Sequence, residues 1–123
     1  MQNPRTEPVV DNSVIASLRE LGGEDEPGLA EELVELFLAD AEGHVASLVK
    51  ASEGGDLLKL ERTAHLLKSA SANVGAARFA RVCRDLERAG HGGEALFARE
   101  LVVELVEHFR EVRSALRGAL GKG

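Results

Sequence analysis

Cysteine and aromatic residues are nearly absent: among 123 residues there is one cysteine, four phenylalanines and neither tryptophan nor tyrosine. The lone thiol, Cys83, has no mate for an internal disulfide and no CxxC neighbour for a zinc site. So few aromatics leave no stacking platform for bases, and a formal charge of −6 disfavours nonspecific nucleic-acid binding. Long apolar runs are missing too; even LVVELV is interrupted by Glu104, so no membrane-spanning segment is expected. The N-terminus lacks an apolar stretch of signal-peptide length. A cytoplasmic protein with neither nucleic acid nor membrane as its partner is the plain expectation.

What is present is Ala, Leu, Val and Glu in helix-forming proportion, with 44% hydrophobic and 29% charged residues. The length fits one domain with a real core. Residues 1–10, with two prolines, read as a loose leader. Asp11 or Asn12 then caps a short helix in which Val14, Ile15, Leu18 and Leu21 recur at helical spacing, stopped by Gly22 and Gly23. Pro27 suits the first position of a second helix, whose apolar stripe runs Leu29, Leu33, Leu36, Phe37, Ala41, His44, Val45, Leu48 to Gly54 and Gly55. Asp56 caps a third helix reaching about Val74, where Gly75 breaks the chain. A fourth buries Phe79, Val82, Cys83 and Leu86 and ends at Gly90, with His91 in the connecting loop. A fifth, from about Glu94 to Leu120, turns Leu101, Leu105, Phe109, Val112 and Leu116 inward. No strand pattern occurs. The expected fold is all-α: an antiparallel up-down four-helix bundle over 11–120, with the short N-terminal helix covering one end and 121–123 a fraying tail.

One stretch, AHLLKSASANVGA from Ala64 to Ala76, stands out. On the third helix His65 shares a face with Glu61, Lys68 and Ser69, while Leu60, Ala64, Leu67, Ser71 and Val74 gather on a side centred roughly 140° away. His65 therefore faces water, as an imidazole offered to a partner must. Its attacking nitrogen has to be unprotonated, so another group must hold the proton on the other nitrogen. Glu87 is the candidate: in an antiparallel pair turning at Gly75, His65 ten residues before and Glu87 twelve after lie at nearly the same height. Lys68 would set a positive charge one turn away, where phosphoryl oxygens would lie. Ser69 is small enough to leave access and has a hydroxyl to donate. Leu58, two turns back on the exposed face, reads as part of a docking patch, to which Glu61, Arg62 and Ala72 are also assigned. Residues 56–90 carry a net +3 against −9 for residues 1–55, a local field that favours an anionic phosphoryl group.

AHLLKSASANVGA followed by FARVCRDLE resembles the AHxLKGSSxxxGA and LxxxCxxLE motifs of histidine-containing phosphotransfer (HPt) domains of bacterial phosphorelays. SLRELGG, ELVELFLADAEGHVASL and GGDLLKLERTAHLLK follow the same family order, so the resemblance spans about Asp11 to Leu120. It implies that His65 is the phosphoacceptor, Lys68 the phosphoryl-stabilising lysine and Glu87 the group that orients the imidazole. It also implies a carrier without its own kinase activity, taking a phosphoryl group from a receiver-domain aspartate of a hybrid histidine kinase, or from a sensor kinase, and passing it to the receiver of a response regulator. Ser69 stands where the family usually has glycine, which implies slower transfer or a narrower choice of partner. No nucleotide loop of the GxxxxGK[ST] type is present. No cofactor is expected, Mg²⁺ being needed only on the partner receiver, and a monomer is expected. Two rivals remain: a helical interaction module that binds a receiver or kinase without being phosphorylated, and a carboxylate-bridged metal bundle. The second needs Glu-x-x-His motifs facing inward. Here Glu61 and Glu104 precede histidines by four residues instead.

Overall fold

The computed structural model describes residues 7–121, so the expectations for residues 1–6 and 122–123 lie outside the described residues. Within that range the chain forms α1 (Asn12–Gly22), α2 (Leu29–Gly54), α3 (Leu57–Asn73), α4 (Ala77–His91) and α5 (Ala95–Ala119), with no strand among the described residues. Neighbours in sequence pack as neighbours in space, and α2 closes the ring against α5, with α1 laid on α2. This is the expected up-down four-helix bundle with a short helix added.

The boundaries have local causes. Asp11 caps α1 by accepting the Ser13 N–H at 2.9 Å, and Asp56 caps α3 by accepting the Lys59 N–H at 3.1 Å. Gly55, at φ +68°, ends α2 in the left-handed conformation and hands its N–H to Ala51 and Ser52 carbonyls. Gly75, at φ +84°, turns the chain from α3 to α4 where a Cβ would meet the Asp11 carbonyl and Val14 at 3.0 Å. The Gly75 carbonyl also accepts the Asp11 N–H at 2.9 Å, so the start of α1 is fastened to this turn.

Leu60, Leu67, Phe79, Leu86, Leu105 and Leu116 are fully buried, and Phe79 lies 5.9 Å from Phe109 between ring centroids. Several expectations need correction. The buried stripe of α2 runs through Ala30, Val34, Phe37, Leu38, Ala41, Val45, Leu48 and Ala51. Leu29, Leu33 and His44 are only partly buried, and Leu36 is 59% exposed. The reason is α1: eleven residues cover only part of this side of α2, so its flank is left open. Leu21, 73% exposed, similarly runs past the contact. Val82 is half-buried, Pro27 lies in the turn before α2, and His91 is the last residue of α4 and not a loop residue. Residues 7–10 are held, not loose: Val10 joins the core, the Glu7 carbonyl accepts from Arg78 at 3.3 Å, and its carboxylate pairs with Arg81.

Leu67 is fully buried two residues from His65. Leu67→Ala should cost about 2–5 kcal/mol in chemical denaturation, as a cavity-forming deletion. A loss under about 1 kcal/mol would place the side chain outside the core.

Candidate functional site

α3 and α4 approach closely enough that a Cβ on Gly90 would meet the Leu57 carbonyl at 3.0 Å and the Glu61 amide at 3.1 Å. Side chains on the two facing edges therefore touch across the seam. His65 projects from α3 with its side chain 57% exposed, and its Nδ1 lies 2.8 Å from Glu87 Oε2 on α4. The Lys68 ammonium donates to the other oxygen, Oε1, at 2.7 Å. One carboxylate thus holds both His65 and Lys68 of α3.

Electrostatics set the charge of the shared carboxylate. The Lys68 hydrogen bond holds the Glu87 carboxyl below its ordinary value of 4.5; partial burial opposes this and the His65 contact adds to it. An ionised carboxylate only accepts, so Nδ1 of a neutral His65 carries the proton and donates it to Glu87. Nε2 then keeps its lone pair on the solvent side. The arrangement supports a nucleophilic nitrogen with its tautomer set by a neighbour.

The other expected residues sort themselves plainly. Ser69, Arg62 and Ala72 are exposed, as is Leu58 at 54%. Lys68 is more enclosed than a surface lysine, and its ammonium is engaged by Glu87 and not free in solvent. Glu61 does not pair with His65 but reaches across the seam to His91 Nδ1 at 3.2 Å. Cys83 is buried, which pushes its thiol up to about 12 and leaves it inert.

Two features escaped the sequence reading. Leu66, 57% exposed, joins Glu61, Arg62 and Glu87 around a shallow depression beside His65. An apolar groove also opens between α1, α2 and α3, lined by Leu18, Leu33, Leu36, Phe37, Ala70 and Val74. Its signal was a surplus of leucines on α2 beyond what one buried stripe can use. Among the described residues no cluster of three or more His, Cys, Asp or Glu is arranged to hold a metal ion, and no helix is long and apolar enough to cross a membrane.

Residues 32–119 match the Hpt domain family, from within α2 to the end of α5. The crystal structure of histidine-containing phosphotransfer protein B from Pseudomonas aeruginosa PAO1 is 34% identical, with a TM-score of 0.82 over 92% of this chain and 95% of that one. A rice protein assigned as a histidine-containing phosphotransfer protein shares the fold, with a TM-score of 0.80 at 23% identity over 93% and 81% of the two chains. Phosphorelay protein LuxU of Vibrio vulnificus is 27% identical over 108 residues, 87% of this chain and 90% of its own. Multistep phosphorelay regulator 1 of Schizosaccharomyces pombe is 33% identical over 97 residues, 79% of this chain, which spans only 32% of that relative. The chain belongs to the Hpt domain family.

Because Glu87 is held below 4.5, its contribution is present above that value and lost as pH falls through the lowered one. The stability gap between wild type and Glu87→Ala should therefore shrink progressively below pH 4.5 in denaturation titrations. A gap that grows over that range would contradict the pairing.

Proposed function

We propose that His65 is the phosphoacceptor through which this histidine phosphotransfer protein works in its phosphorelay. The observation that carries this reading is an exposed imidazole whose Nδ1 is committed to an ionised carboxylate. The Nε2 lone pair attacks the phosphorus of a partner's aspartyl phosphate. The N–P bond forms as the P–O bond breaks and the carboxylate leaves, and Glu87 balances the positive charge that develops on the ring. Passing the group onward reverses these events with a second receiver.

Lys68 supports the same step. An ammonium has three donors, and one goes to Glu87, so the others can meet phosphoryl oxygens. Positioning and charge stabilisation suffice for phosphoryl transfer, so His65, Lys68 and Glu87 form an adequate site. Ser69, one turn beyond His65, borders the approach path and offers a hydroxyl. The partners are receiver domains of a hybrid histidine kinase and of a response regulator, and any Mg²⁺ serving transfer belongs to them. The chain acts as a carrier without ATP-dependent kinase activity of its own, as a cytoplasmic monomer. Glu61, Arg62 and Leu66 line the depression at His65, Leu58 and Ala72 lie exposed about two turns away along α3 on either side, and the α1–α3 groove supplies apolar surface for a docked receiver.

Incubation with a phosphorylated receiver should give an acid-labile, base-stable label that maps to residue 65 in wild type and is lost from that position in His65→Gln. Equal label on both would sink this assignment. Lys68→Ala should slow transfer on the order of 10²-fold, as for loss of one charge-stabilising donor. Its melting should change little, because a partly exposed ion pair contributes about 1 kcal/mol or less.

A further inference from the structure

The α3–α4 seam carries a second histidine–carboxylate pair. Glu61 and His65 are four residues apart on α3, and Glu87 and His91 are four apart on α4. Because the helices run antiparallel, the two couples interlock: His65 meets Glu87 at 2.8 Å and His91 meets Glu61 at 3.2 Å, each through Nδ1. Four residues correspond to about 6 Å along a helix, so the second pair lies one turn from the first.

We propose that His91 Nε2 is a second phosphoacceptor on this seam, a reading that rests on the phosphotransfer role of His65. A carboxylate accepting from Nδ1 leaves the lone pair on Nε2, as at His65. The ring is the more open of the two, 80% exposed against 57%, and Gly90, Gly92 and Gly93 around it present no side chain to block an approach. Two exposed arginines flank the pair along its helices: Arg88, three residues before His91 on α4, shares its side of the helix, and Arg62 follows Glu61 on α3. The remaining histidines lack this combination. His108 is half-buried with carboxylates near both nitrogens, Glu104 at 3.6 Å and Glu111 at 3.9 Å, and His44 is half-buried in the wall of the apolar groove.

The step balances as at His65: Nε2 bonds to phosphorus, the donor's bond to phosphorus breaks, and its leaving group departs with the electron pair. Two differences set the rank of the sites. His91 ends α4, where the helix dipole disfavours an anion, so it fills more slowly and to lower occupancy than His65. Phosphoryl groups on both rings would lie about one turn apart and repel, so a filled His65 lowers the filling of His91.

The probe is phosphoramidate, a small phosphoryl donor that releases ammonia and needs no docked partner. Wild type, His65→Gln, His65→Gln/His91→Gln and His65→Gln/Glu61→Gln are each incubated with it, and peptides are mapped by mass spectrometry under alkaline conditions. The expected result is label on residue 65 in wild type and slower label on residue 91 in His65→Gln. That label disappears in His65→Gln/His91→Gln and falls several-fold in His65→Gln/Glu61→Gln. Wild type labelled at 65 with nothing on 91 in His65→Gln overturns the second site and leaves the first standing. Label on 91 undiminished by Glu61→Gln reduces it to an ordinary exposed imidazole and overturns the proposal. No label at either residue in wild type overturns both.

Discussion

The Glu87 carboxylate is the contact on which the rest of the site depends, because it ties both the imidazole of His65 and the ammonium of Lys68 to the neighbouring helix. Two hydrogen bonds of 2.7–2.8 Å to one carboxylate require α3 and α4 to sit at a fixed separation and height. Gly90 sets the separation, since a side chain there would strike the backbone of α3. The turn at Gly75 sets the height, and that turn is itself fastened to the start of α1 through the Asp11 amide. The buried leucines supply the stability that lets so few polar contacts be positioned so closely.

Sharing one carboxylate between a lysine and a histidine has a chemical consequence. With Lys68 bonded to it, Glu87 stays ionised, and an ionised carboxylate is the acceptor that keeps the proton on Nδ1. In the proposed transfer the phosphoryl oxygens take the ammonium protons that Glu87 does not use. The Glu87 charge meanwhile stays facing the imidazole, which is becoming positive at that moment.

The helices and the centre of this site were legible because they rest on periodicity. Helical spacing placed His65 opposite Leu60, Ala64 and Leu67, and the height-matching about Gly75 that selected Glu87 is a property of chain length alone. The same register puts Glu61 opposite His91, a pair that the sequence hides because HGG has the pattern of a connection while α4 continues through His91. What periodicity does not carry is coverage. Leu21 and Leu36 fit an apolar pattern as well as any buried leucine, but α1 is too short to roof them. Nor does it carry side-chain reach: Lys68 sits on the polar face, yet its long stem lets it fold across the seam onto Glu87. Prolines made residues 7–10 look loose, whereas Val10 in the core and two arginines of α4 on Glu7 hold them down.

α3 therefore divides its circumference between separate jobs. Its buried side holds the bundle, its α4 edge carries His65 and Lys68 with their shared carboxylate, and its α2 edge contributes Ala70 to the apolar groove, joined by Val74 just past its end. Phosphoryl transfer demands mainly position and charge, so the chemical edge can be the same for many partners. In the proposed docking, discrimination between partners falls to the groove and to exposed leucines such as Leu36, Leu58 and Leu66, where shape decides. Ser69 lies between the two edges, next to Ala70 in the chain and one turn from His65. In the proposed transfer a side chain in place of hydrogen there bears on both jobs, the approach to Nε2 and the rim of the proposed docking surface. On that reading a change of partner and a change of rate are hardest to separate at this position.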